Sequence, residues 1–261
     1  MQKRNLNFKK DVQISSEKRE ILVPQGYGKD PLTKFVVDAE QNIIASYANY
    51  NTIFKGLNHI LDIFTKINEY YREKGFSEPE LVPLFFLNRA KGAFLASMRI
   101  GLAGQIPECY PLLRLTLEYS LYALKLKDDI ELTKLWLSRH VNEENRKKIR
   151  KCFTITDMKK CLKEIDSETG EIVDKLYEEL IDFGAHPNER GITANLESDM
   201  SIVLLQRGDA LPYKYCIKTI ARIGICSLLV YECVFGDCYR ELSLHDELVK
   251  LRQGFKLVLT K

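Results

Sequence analysis

Apolar residues recur along most of this chain at three- and four-residue steps, the spacing that lines one face of an α-helix. From Phe35 to Tyr71 the series Ile43, Ile44, Tyr47, Ile53, Phe54, Leu57, Ile60, Leu61, Phe64 and Ile67 predicts helix over many turns, ended by REKGFSEPE. A second helix is predicted from about Leu81 to Gly104. A third starts near Pro107, where proline is tolerated in the first turn, and runs to about Lys127. Both have wide apolar faces, as expected of central helices in a bundle.

The middle third is broken more often. DDIELTKLWLSRH reads as a short helix, followed by NEENRKKIRKCF and TITDMKKCLKEID, with Thr156 or Asp157 as the cap of the latter. SETG then separates it from a helix carrying Val173, Leu176, Tyr177, Leu180 and Ile181. After an HPNERG turn, MSIVLLQRGD is the only strand-like stretch, and a long apolar helix over residues 211–235 closes the core. The pattern predicts an all-α, multi-helix bundle with at most a small β excursion near residue 200. Residues 1–36 are polar and broken by VPQGYGKDP, so they read as an extended or partly ordered N-terminal arm; residues 37–261 form a single helical-bundle domain.

Composition narrows the class of protein. The chain has 261 residues, 45% of them hydrophobic, enough for one large core. Its net charge of +3 selects no partner by itself. The seven cysteines are scattered, none in a CxxC pair, which suits reduced thiols in a cytoplasmic protein. The basic N-terminus MQKRNLNFKKDVQ lacks the apolar stretch of a secretory signal. The most apolar window, IGICSLLVYECVF, contains Glu232 and is too short for a bilayer, so no membrane association is expected.

Three features carry candidate chemistry. Arg114 and Glu118 stand at i and i+4 in an otherwise apolar helix, where charges are rare unless paired; they are either a structural ion pair or part of a site. His186 follows Phe183-Gly184-Ala185, with Gly184 at the left-handed cap position and Pro187 preventing continuation. It is either a C-cap histidine, whose charged form the carbonyl end favours, or one of a polar set with Asn188, Glu189 and Arg190 at the mouth of the bundle. Histidine suits proton transfer, and arginine suits phosphate or carboxylate. Between Arg139 and Lys163 basic residues outnumber acidic ones. Arg146 with Arg150, and Lys147 with Lys151, share helix faces that suit either solvent or a nucleic-acid backbone. The four histidines have no metal-ligand spacing. There is no Glu-x-x-His pair, HExxH, GxSxG, phosphate loop or GxGxxG, and neither metal nor cofactor is expected.

LLRLTLEYSLYALKL, followed by LYEELIDFGAHPNERG, resembles a family of uncharacterised bacterial all-helical proteins, over roughly Ala93 to Gly191. The architecture also loosely resembles the HEPN-type bundles of toxin–antitoxin and phage-defence systems, many of them metal-independent ribonucleases that act as dimers. The signature of those bundles is an arginine, four to six residues, then a histidine. Arg240 and His245 have that spacing at a frequency chance supplies, and Glu241 departs from the usual residue after the arginine. The resemblance implies a protein that binds or cleaves RNA, with His186 as acid or base, Arg114 on the phosphate and Glu118 orienting it. The alternative is a non-catalytic interaction or oligomerisation module, bound to a protein partner or its own copy, in which Arg114, Glu118 and His186 form a buried network.

Overall fold

Side chains that satisfy the free N–H groups of a first turn set where many of these helices begin. The computed structural model describes residues 23–256 apart from 198, 207 and 209. Among them it holds α1 (Pro31–Asn49), α2 (Asn51–Lys74), α3 (Glu78–Leu102), α4 (Ile106–Leu126), α5 (Ile130–Leu137), α6 (Glu143–Cys152), α7 (Ile155–Ile165), α8 (Ser167–Leu180), α9 (Glu189–Thr193), α10 (Leu211–Val234), α11 (Gly236–Glu241) and α12 (Leu244–Gly254). Ser77 and Glu80 form a reciprocal capping box at the head of α3. Asp129, Asn142, Thr154, Asp166 and Asn188 each accept from the backbone N–H three residues on, opening α5, α6, α7, α8 and α9. Thr154, not Thr156 or Asp157, therefore caps α7. Asp166 draws the SETG segment into the first turn of α8, so it does not separate the two helices.

The architecture is the all-α bundle that the periodicity predicts. The chain divides into two compact units, residues 1–37 and 38–261. Residues 1–22 of the expected arm lie outside the described residues. Within the rest of the first unit, Gly26 and Gly28 turn the chain with positive φ, and Asp30 then accepts from the N–H groups of Leu32 and Thr33 to start α1. In the second unit α10 is the central element, buried on nearly all sides from Tyr213 to Val234. It packs against α2, α3, α4, α8, α11 and α12, while α3 and α4 form the most extensive helix pair. No helix among the described residues is long and apolar enough to cross a membrane.

Two further expectations change. The helix predicted over Phe35–Tyr71 is broken at Tyr50 (φ −121°, ψ 37°). The Tyr50 hydroxyl donates to the carbonyl of Gly208, and its ring sits 6.1 Å from that of Tyr213, so contacts remote in sequence bend the chain there. The strand-like run near residue 200 contributes only an isolated antiparallel bridge between Leu196 and Ile202. Val203 N–H donates to Asn195 O at 3.0 Å and Gln206 N–H to Gly104 O at 2.9 Å. The run folds on itself and on the α3–α4 turn, and among the described residues no ladder of partners extends it.

An ion-pair clamp ties α7 to α8. Asp174 lies 3.0 Å from the Lys159 ammonium and also pairs with Lys163. Burial pushes its carboxyl up, but the two ammonium groups outweigh this and leave it below the ordinary aspartate value. A depressed folded-state value adds stability that is present above the unfolded value of about 3.9 and lost as pH falls through the folded one. Asp174→Asn should therefore cost on the order of 1 kcal/mol at neutral pH, and the difference from wild type should vanish in the acid limb. Urea melts at a series of pH values check this; an equal difference throughout would show that the carboxylate charge plays no part.

Candidate functional site

The polar residues of α4 and of the turn after α8 meet at one place. Arg114 and Glu118, one helical turn apart on α4, pair Nε to Oε1 at 3.2 Å. Each side chain is about a quarter exposed (24% and 26%), so the pair sits at the edge of the core, where solvent still reaches it. Arg114 Nη1 also reaches across to His186 Nε2 at 2.8 Å and donates to the Ala185 carbonyl at 3.4 Å. Behind the arginine, the Tyr177 hydroxyl on α8 donates to Glu118 Oε1 at 2.7 Å. Burial, and then the neighbouring carboxylate, push that hydroxyl well above the ordinary tyrosine value, so it stays a donor. The result is a chain of contacts from Tyr177 through Glu118 and Arg114 to His186.

The turn that presents His186 is built differently from a simple helix cap. The α8 helix widens into one π-type turn over Ile181–Ala185, and Gly184 adopts φ 135° before the chain becomes extended at His186. A Cβ on Gly184 would stand 3.0 Å from the carbonyl oxygen of Pro107, so glycine is needed both for the backbone angle and for close approach to α4. The sequence leads one to expect His186 either held by the helix end or in a network with Arg114 and Glu118. The contact observed is with the Arg114 guanidinium, which has no acceptor atom, so Nε2 is the acceptor in it. Arg114 thus holds the ring from α4. His186 is otherwise exposed.

The remaining residues singled out in the sequence separate into two groups. Asn188 is used by the backbone: its Nδ2 donates to Ile181 O and its Oδ1 accepts from Gly191 N–H, both at 2.7 Å. Arg190 pairs with Asp182 at 3.3 Å and lies over the Phe183 ring, while Glu189 is exposed in the first turn of α9. On α6, Arg146 pairs with Glu143 at 3.1 Å. Lys147, Arg150 and Lys151 are exposed there. That helix packs on α5, whereas the His186 turn packs on α4, α8 and α9. Arg240 and His245 do not form a pair of the HEPN kind: Arg240 pairs with Asp237, and His245 Nδ1 lies 2.8 Å from Glu232 Oε1.

Sequence reasoning missed two parts of this site. Tyr177 reads as one more apolar position on α8, and nothing in its spacing marks the hydroxyl as a partner of Glu118. The second is a cavity of about 420 Å³ beside the turn, walled by Ile106, Tyr110, Phe183, Leu211 and Tyr215 with Arg190 at its edge. Phe183 lies between the other two rings, 5.8 Å from Tyr110 and 5.3 Å from Tyr215. Among the described residues, no three His, Cys, Asp or Glu side chains come together as a metal-binding group.

Glu118 joins the two halves of the contact chain, so its charge should matter for stability. Glu118→Gln leaves Arg114 without a counter-charge. Fully buried pairs broken on one side lose about 3–5 kcal/mol and exposed ones below about 1 kcal/mol, so a quarter-exposed pair should lose about 1–2 kcal/mol. Thermal melts of Glu118→Gln, Arg114→Gln and the double variant decide it, since full additivity would show that the two side chains do not interact. Compared with known proteins, the chain matches no family model, no curated protein and no solved structure, so the chemistry of the site is read from its own residues.

Proposed function

We propose that this protein binds single-stranded RNA at the Arg114–His186 pair and cleaves it without a metal ion, as the resemblance to bacterial defence bundles of the HEPN kind implies. The observation that carries the reading is the 2.8 Å contact between an exposed histidine and an arginine that is itself oriented by Glu118 from behind. Arginine offers a planar fork to a phosphate, and histidine is the side chain best suited to moving a proton near neutral pH. The aromatic cavity beside the turn suits an unstacked base, which is how single-stranded RNA is commonly held.

In this reading an incoming phosphate takes the Arg114 guanidinium away from His186 and frees the Nε2 lone pair. His186 then accepts the proton of the ribose 2′-hydroxyl, whose oxygen attacks phosphorus. Arg114 balances the charge that builds on the phosphate oxygens. The bond to the 5′-oxygen breaks, leaving a 2′,3′-cyclic phosphate; the 5′-oxygen takes a proton from solvent, and the imidazolium returns its own. Lys147, Arg150 and Lys151 would hold the backbone further along the strand.

The test is cleavage of a generic single-stranded RNA in the presence of a chelator. His186→Ala should slow it by at least about a hundredfold, the usual contribution of a proton-transfer group, while the melt stays nearly unchanged. Cleavage that survives the substitution, or wild-type protein that leaves the RNA intact, would discard the reading. A non-catalytic interaction or oligomerisation module is the second reading, favoured by the exposed Ile192, Met200, Leu204 and Leu211 around the loop before α10. It expects a self-associated species in sedimentation that Leu204→Asp dissociates.

A further inference from the structure

A second cavity, of about 650 Å³, opens between the start of α2, the middle of α10 and the end of α12. Ile53, Leu251 and the Phe255 ring give it apolar walls, and Tyr215 adds a second ring from α10. Residue 56 is glycine where Phe255 crosses α2; a Cβ there would stand 2.5 Å from the ring, so the wall exists because that side chain is missing. The charged side chains that line the cavity are all basic. Lys218, Lys250 and Lys256 are exposed at its edge, and among the described residues their ammonium groups have neither an ion pair nor a hydrogen bond. The two other basic side chains there are already engaged, Arg222 with Glu179 at 3.3 Å and His59 with Glu247 at 2.7 Å. No carboxylate lines the cavity.

We propose that this cavity binds a nucleotide, a small ligand that joins a phosphate chain to a flat aromatic base. Three uncommitted ammonium groups around one opening call for an anion of more than one charge, because a single carboxylate would leave most of them unmatched. The apolar floor and the two rings suit a planar base, which a bare polyanion would leave unused. The volume lies within the range of about 300–1,000 Å³ in which small ligands are held. The inference stands on these groups alone and does not depend on the RNA reading of the His186 turn.

Calorimetric titration of the full chain with ADP, GDP, CDP and UDP tests it, with pyrophosphate and the matching nucleosides as separate arms. At least one diphosphate should bind with one site per chain, and its nucleoside and pyrophosphate should each bind at least about tenfold more weakly. Lys218→Ala with Lys250→Ala should weaken the nucleotide by about tenfold or more, since both residues are exposed and each would lose a charge-assisted bond. Lys175→Ala, at an exposed lysine of α8 that does not line the cavity, should leave binding as it is. Absence of heat with all four diphosphates would overturn the proposal, as would pyrophosphate binding as tightly as any nucleotide. Unchanged affinity in the double variant, or an equal loss in Lys175→Ala, would overturn it too.

Discussion

Ile220→Ala is expected to cost about 2–5 kcal/mol, the range for truncating a large aliphatic side chain in a packed interior. Ile220 is fully buried in the middle of α10, the element around which the second unit is packed. Its Cδ1 occupies the space left by Gly101 of α3, only 2.7 Å from where a Cβ would stand, and the sulfurs of Cys109 and Cys216 close the same spot at 3.1 and 3.4 Å. Three helices therefore meet at one glycine, and the isoleucine fills the gap. Alanine would remove most of the side chain from a place whose neighbours are backbone and short thiols, which have little freedom to collapse inward. Urea unfolding should show a lower midpoint with an unchanged slope. A loss below about half a kcal/mol would mean that α10 is peripheral and not the core element described here.

The opposite error should be as damaging. Gly224, one turn further along α10, faces α2 and α3, and a Cβ there would meet Phe94 at 2.7 Å and Ile60 Cγ2 at 2.9 Å. Both neighbours are fully buried, and the Phe94 ring is held in turn at 6.1 Å from Phe64, so neither can swing aside. Gly224→Ala gains about 1 kcal/mol of helix propensity and loses about 1–3 kcal/mol to overpacking, which leaves a modest net loss. Gly224→Leu adds further carbons against the same rigid wall with no more propensity to gain. It should cost about 3 kcal/mol or more, which for a domain of this size is a fall in Tm of roughly 6–12 °C. A melt in which leucine is tolerated as well as alanine would show that α10 can slide away from α2 and α3.

These two positions illustrate how unevenly the fold can be read in advance. Ile220 belongs to an apolar run whose density already marks the helix as central, because a helix that is apolar all round has to be buried. Gly224, within the same run, reads only as a weak point in a helix; that it is the crossing point with α2 and α3 depends on partners more than a hundred residues away in sequence. The break at Tyr50 has the same origin. Periodicity passes straight through it, and only the contacts with Gly208 and Tyr213 show why the chain bends.

The candidate site divides along the same line. The i, i+4 spacing of Arg114 and Glu118 in an apolar helix already implies that they pair, because local helix geometry determines which side chains are neighbours. Gly184 and Pro187 likewise announce an irregular end to α8, since both act on their own backbone angles. The all-α class, the approximate ends of most long helices and the central place of α10 are local properties of this kind, and the sequence by itself determined them. The tertiary structure alone decided that the guanidinium, not the helix carbonyls, holds His186, that Tyr177 stands behind Glu118, and that three lysines from α10, α12 and the turn after it line one cavity. Those are relations between segments distant in the chain. They follow from how apolar faces pack, and periodicity says that a face is buried without saying against what.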